Sequence, residues 1–197
     1  VRSRGWFFHE KEALYYFFEK NDLQKTKQSF YTCARIDEYR IRKYDNHVLQ
    51  VGIQNLTYIL LSDHFKLIQQ FGTLASSKHP LYAPKGSLTH TVQCIIRDDI
   101  KAIENQVNIF QSKYLPFKSK QWVKPDLQFF EGYLEGNRKK MAEAITTLVS
   151  PRKHHARNKP FALRKEYISI PALTYTKLAW LKGFELDINH PLVPRDL

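Results

Sequence analysis

A chain of 197 residues, 43% hydrophobic and 14% aromatic, is long enough to bury a sizeable core, which excludes a disordered segment. Its formal net charge of +12 is unevenly spread: residues 111–165 carry 13 basic and 4 acidic groups, net +9, against +3 for 1–50, +1 for 51–110 and −1 for 166–197. A field so concentrated attracts a polyanionic partner, either nucleic acid or an acidic protein surface.

In chain order, three segments share one layout: an apolar helix, a short turn led by Asn or Asp, and a second helix. The first runs from Ala13 to Ala34, with Asn21 as the expected cap of a helix whose Leu23, Phe30 and Cys33 recur on one side. Val48 to Gln70 follows, apolar at helical spacing through Val51, Leu56, Ile59, Leu60, Leu67 and Ile68, and a helix apolar on most sides belongs at the centre. Gly72 to Ser87, with Pro80, Pro84 and Gly86, reads as a loop that ends on Ser87 as a cap. The second hairpin, Val92 to Phe110, takes Asp98 as cap and Ile100, Ile103, Val107 and Phe110 as its buried stripe. A loop over Pro116–Pro125 precedes the third, Phe129 to Val149, with Asn137 as cap and Met141, Ala144, Ile145 and Leu148 facing inward.

The turn positions Asn21, Asp98 and Asn137 are spaced as about two units and one unit of a helical repeat. The expected fold is therefore all-α, either stacked helical hairpins in a degenerate tetratricopeptide-like array or an irregular α-bundle. No loop is long enough for a flexible linker, so residues 1–197 are expected to form a single domain. Phe184–Ile188 alternates for only five residues, an extended tail rather than a sheet.

Chemistry-bearing patterns are sparse. No glycine loop of the phosphate-cradling kind occurs among the 7 Gly, no two of the 8 His are spaced as a helical ligand pair, and no cofactor is called for. Cys33 and Cys94 lie in apolar patterns and read as buried free thiols in a reducing cytosol, not as a disulfide, a metal pair or an activated nucleophile. The pairs Asp37-Glu38 and Asp98-Asp99 point in different directions on a helix and read as caps and solvated faces. The longest apolar run, Leu56–Leu61, falls far short of the roughly 20 residues that span a bilayer. The chain opens on Val1 and stops at Leu197, which is compatible with trimming at both ends and with a removed leader.

Ser150 to Pro160 stands apart, because Arg152, Lys153, His154, His155, Arg157 and Lys159 are packed together without an acid. It reads either as a solvated interhelical loop or as a contact surface for an anionic partner, extended by Arg138, Lys139 and Lys140. Catalysis by His154 or His155 is the third, weakest reading.

At the end of the chain Ser169 is expected to cap a helix that begins near Ile170, with Pro171 in its first turn and Ala172, Tyr175, Leu178, Ala179 and Leu181 on one apolar face. Gly183 supplies the left-handed terminator. The run from Pro171 to Gly183, followed by Asn189-His-Pro-Leu-Val-Pro194, resembles the C-terminal signature of the immunity protein 49 family of bacterial polymorphic-toxin systems. The resemblance implies a small all-α cytoplasmic protein, without catalytic residues, that binds and neutralises a cognate toxin domain, commonly a nuclease. Inhibitors that block nuclease active sites are often acidic, so this basic chain calls for a toxin with an acidic binding face, a non-nuclease toxin, or inhibition away from the substrate groove. The alternative class is a basic helical-repeat protein binding nucleic acid through Lys113–Lys165, for which no base-reading motif is present.

Overall fold

A computed structural model describes residues 4–50, 52–77, 79–81, 86–159 and 164–197. Its helices are α1 (Arg4–Phe18), α2 (Leu23–Tyr44), α3 (Gln54–Leu61), α4 (Phe65–Gly72), α5 (Leu88–Ile96), α6 (Ile100–Lys113), α7 (Lys124–Leu134), α8 (Arg138–Val149), α9 (Pro151–Asn158), α10 (Arg164–Tyr167) and α11 (Ile170–Leu181). Two 3-10 segments, η1 (His47–Gln50) and η2 (Lys118–Val123), complete the described elements, and there is no strand among them. The all-α expectation holds.

The hairpins turn by one device used four times. A left-handed residue ends the first helix and the next residue caps the second: Asn21 (φ 49°) before Asp22, Asp63 (φ 51°) before His64, Asp98 (φ 58°) before Asp99, and Gly136 (φ 65°) before Asn137. Each cap accepts a first-turn backbone N–H, as in Asp22 Oδ1 from Lys25 at 3.0 Å and Asn137 Oδ1 from Lys140 at 3.0 Å. Asn21 and Asp98 are therefore not the caps that the sequence pattern suggested. Asn and Asp tolerate left-handed backbone better than other side-chain-bearing residues, so the first of two polar residues bends the chain and the second caps. The same device at Asp63-His64 separates α3 from α4, and η1 ends before α3 begins, so the apolar stretch Val48–Gln70 is divided where one central helix was expected. Its turn falls in the gap that the spacing of Asn21 and Asp98 had left.

Consecutive hairpins pack on one another, and α11 runs against α3, α5 and α8. A helix in that position has no solvent face over its first two turns: Ile170 to Thr176 are all buried. Thr57 and Thr174 meet hydroxyl to hydroxyl at 2.5 Å where α3 crosses α11, one donating to the other, which in turn donates to the backbone carbonyl four residues before it. The result is an irregular bundle of hairpins closed around its last helix, with a continuous core from Trp6 to Leu197. Phe30 stacks on Tyr58 at 5.3 Å in the first half and Phe129 on Tyr175 at 4.5 Å in the second.

Several local expectations change. Pro116–Pro125 is not an open loop, since η2 occupies most of it and α7 starts at Lys124. Ser150–Pro160 is not a loop either: α9 spans Pro151–Asn158, with the proline at the first position, where no N–H is needed. Asp37 does not lie on a solvated face but is buried and accepts the indole N–H of Trp6 at 3.0 Å. Ser169 sits at the N-cap of α11, yet its hydroxyl caps nothing and has no partner among the described residues. Asn158 Oδ1 accepts the Ile170 N–H instead, at 3.3 Å.

The tail is tied in. Ser169 N–H donates to the Leu192 carbonyl at 2.8 Å, and Leu186, Val193 and Leu197 are buried. Gly183 terminates α11 at φ 79°, and the following N–H of Phe184 returns to the Ala179 carbonyl at 2.9 Å.

Candidate functional site

Two acid-free stretches, 105–125 and 144–165, carry most of the excess positive charge, and the fold brings them together. The contact is made by Trp122, on η2, and Arg157, on α9, whose guanidinium carbon lies 5.0 Å from the centre of the indole ring. Lys113 at the end of α6 and, on the elements that meet there and at their ends, Lys118, Lys120, Lys124, Arg152 and Lys159 are exposed, and Lys153 is half-buried. None of the seven forms an ion pair among the described residues. Phe117, at the N-cap of η2, and Trp122, on it, are 55% and 45% exposed, so large rings interleave with the cations.

Beneath this face lies a buried ionic clamp. Asp126, fully buried on α7, takes both terminal nitrogens of Arg157, at 2.7 and 2.9 Å, and the hydroxyl of Tyr175 on α11 at 2.6 Å. Burial disfavours the Arg157 cation, but the Asp126 charge and its two hydrogen bonds outweigh it and leave the guanidinium pKa raised. Burial first, and then the same carboxylate, hold the Tyr175 hydroxyl far from ionisation. α7, α9 and α11 are thus fastened at one carboxylate.

The nine candidate residues divide accordingly. Arg138, Lys139, Arg152, His155 and Lys159 are exposed, with Lys153 half-buried beside them. Arg157 points inward to Asp126. His154 is buried: its Nε2 lies 2.7 Å from the Lys165 carbonyl, which can only accept, so Nδ1 is left to accept from the Asn158 amide at 3.1 Å. Nε2 thus holds α9 to α10, while Nδ1 fixes Asn158 at the end of α9 itself. Lys140 is taken up by Glu131 at 2.9 Å and Glu135 at 2.8 Å. Sequence reasoning missed Asp126 and Trp122. Their signals were an acid inside the apolar face Leu127-Phe129-Phe130, and a tryptophan flanked by Lys120 and Lys124.

Elsewhere, buried polar groups serve packing. Arg164 meets Glu10 at 2.9 Å and donates to the Tyr58 hydroxyl at 2.7 Å, joining α10, α1 and α3. Cys94 lies 3.6 Å from His90 Nε2 and 3.4 Å from Arg97, but its surroundings oppose a thiolate: burial pushes its pKa up, against a smaller lowering by Arg97. Both cysteines are buried and free. Among the described residues no three His, Cys, Asp or Glu side chains converge as a metal-ligand set, and no helix is long and apolar enough to cross a membrane.

The chain matches the family model of immunity protein 49 over residues 84–197, more than half its length and the whole of the cationic face and its clamp. The chain belongs to the immunity protein 49 family. No curated protein and no solved structure matches it. In this member of the immunity protein 49 family the tail that carried the resemblance is a structural element, bound back onto the start of α11, while Lys118 and Lys120 on η2 and Arg152 and Lys153 on α9 form no ion pair among the described residues.

Proposed function

We propose that this protein, acting as one domain in the cytoplasm, binds a cognate toxin domain and neutralises it by protein–protein contact without turning over a substrate. The docking face is the cationic surface of Arg138, Lys139, Arg152, Lys153, His155 and Lys159 together with η2, and the partner presents an acidic face to it. Membership of an immunity family carries this reading. It is supported by a surface whose positive charges meet no carboxylate among the described residues, although Lys120 lies over the Tyr114 and Phe117 rings, whereas the charges of Lys140 and Arg157 are paired with acids. Charges at an interface rim act mainly on association, by steering.

The test is co-expression with the protein encoded by the neighbouring gene, with growth as readout, and a pull-down of the pair. Protection by the native protein, weakened when Arg152, Lys153 and Lys159 are changed together to Glu, is the expected result. Arg157 is left intact because its reversal would break the clamp. A neighbour that is not toxic, or tight binding of DNA or RNA with a steep salt dependence and no protein partner, would replace this reading with the nucleic-acid one.

A further inference from the structure

Stability alone does not account for the Asp126 clamp. A buried ion pair is often no more stabilising than apolar side chains of the same volume, so a fully buried carboxylate opposite an arginine invites a second explanation. The arrangement outside it supplies one. Arg157 is 15% exposed, fixed by two parallel hydrogen bonds to Asp126, and its guanidinium faces the indole of Trp122, itself 45% exposed amid unpaired cations. A lysine at this position would offer neither the planar fork nor the flat face that meets the ring.

We propose that Trp122, held in place by Arg157 and Asp126, is the preorganised anchor of the toxin interface, with Phe117 at the other end of η2 as a second contact. The partner is an acidic protein surface with an apolar recess for the indole. This rests on the immunity reading above. A large ring already held against a fixed guanidinium loses less side-chain freedom on binding than a free one, and tryptophan is among the residues enriched at binding hot spots. Charge complementarity sets the partner's chemistry: Lys118, Lys120 and Lys124 stand within four positions of Trp122 in the chain, Arg152 and Lys153 share α9 with Arg157 and Lys159 directly follows that helix, and none of the six forms an ion pair among the described residues. The anchor governs how long the complex lasts and the cations govern how fast it forms. Arg157 and Asp126 are positioning residues that act through the ring.

The experiment measures association and dissociation rates of the native protein on the immobilised product of the neighbouring gene, in inactivated form. Trp122→Ala is expected to speed dissociation by about tenfold or more while leaving association within about threefold, and Trp122→Phe to retain most of the lifetime. Arg157→Lys is expected to speed dissociation in the native background and to add nothing in the Trp122→Ala background, a non-additivity that a purely structural role would not produce. Phe8→Ala on α1, another exposed ring, serves as control. If the native protein binds and Trp122→Ala leaves its lifetime unchanged, or if Phe8→Ala shortens it as much, the anchor assignment is wrong and the immunity reading stands. If the native protein does not bind the neighbour, the immunity reading fails first. Quenching of Trp122 fluorescence by a single-stranded or duplex oligonucleotide, at the same salt at which no protein partner binds, would overturn both.

Discussion

Changing Asp126 to Asn tests the clamp most directly. The substitution keeps the shape of the side chain and removes its charge, leaving Arg157 with two guanidinium nitrogens facing a neutral amide in a site where Asp126 has no solvent exposure. Breaking a buried pair on one side costs about 3–5 kcal/mol, since the remaining charge is stranded away from water. The exposed alternative sets the scale. Lys140 with Glu131 and Glu135 is a surface pair, so Lys140→Ala is expected to cost no more than about 1 kcal/mol. For a chain of this length each kcal/mol moves Tm by about 2–4 °C, so Asp126→Asn is expected to lower it by about 10 °C in scanning calorimetry. The double variant Asp126→Leu with Arg157→Met removes both charges and is expected to be more stable than either single change, because nothing is then stranded. An Asn variant within about 1 kcal/mol of native, or a double variant as unstable as the two single costs added together, would refute the argument that the unpaired charge sets the penalty.

Three further outcomes follow from geometry at single residues. At the start of α11, Asn158→Ala should cost about 2 kcal/mol or more, since it removes the cap of the Ile170 N–H and strands the buried His154 Nδ1, whereas Ser169→Ala should be nearly neutral; urea unfolding of the two variants separates them. Gly132→Ala in α7 should destabilise despite the roughly 1 kcal/mol that alanine gains in a helix, because its Cβ would stand 3.0 Å from the backbone nitrogen of Met141 on α8; an equal or higher midpoint would show that the crossing can widen. His90 is buried and its pKa is lowered from 6.5 to about 4, first by burial and then by the charges of Arg97 and His79. The unfolded chain therefore binds the proton more readily between those values, so stability should be full above pH 6.5 and fall by about 3 kcal/mol as pH drops to 4. His90→Gln should flatten that slope in unfolding measured from pH 7 to 4.

The sequence by itself determined the elements whose causes are local. Helical periodicity placed the hairpins, Ser87 and Asn137 announced their helices, and Gly183 ended α11, because caps and left-handed turns depend on a few adjacent residues. The concentration of positive charge was also legible, since it is a property of composition. Where two polar residues stood side by side, as at Asn21-Asp22 and Asp98-Asp99, the pattern found the turn and missed which residue capped, a choice made by backbone angles that either could adopt. Only tertiary structure decided which charges were free. In the sequence Arg157 and His154 are indistinguishable from Arg152 and His155, but on α9 the first two face the bundle and the second two face water, where α7 supplies Asp126 and α10 the Lys165 carbonyl. The partner of Arg157 stands 31 positions earlier on another helix, and a pairing at that distance is set by how helices cross rather than by any local preference. The same crossing leaves Trp122 against a fixed guanidinium at the surface, a juxtaposition visible only once η2 and α9 are brought together.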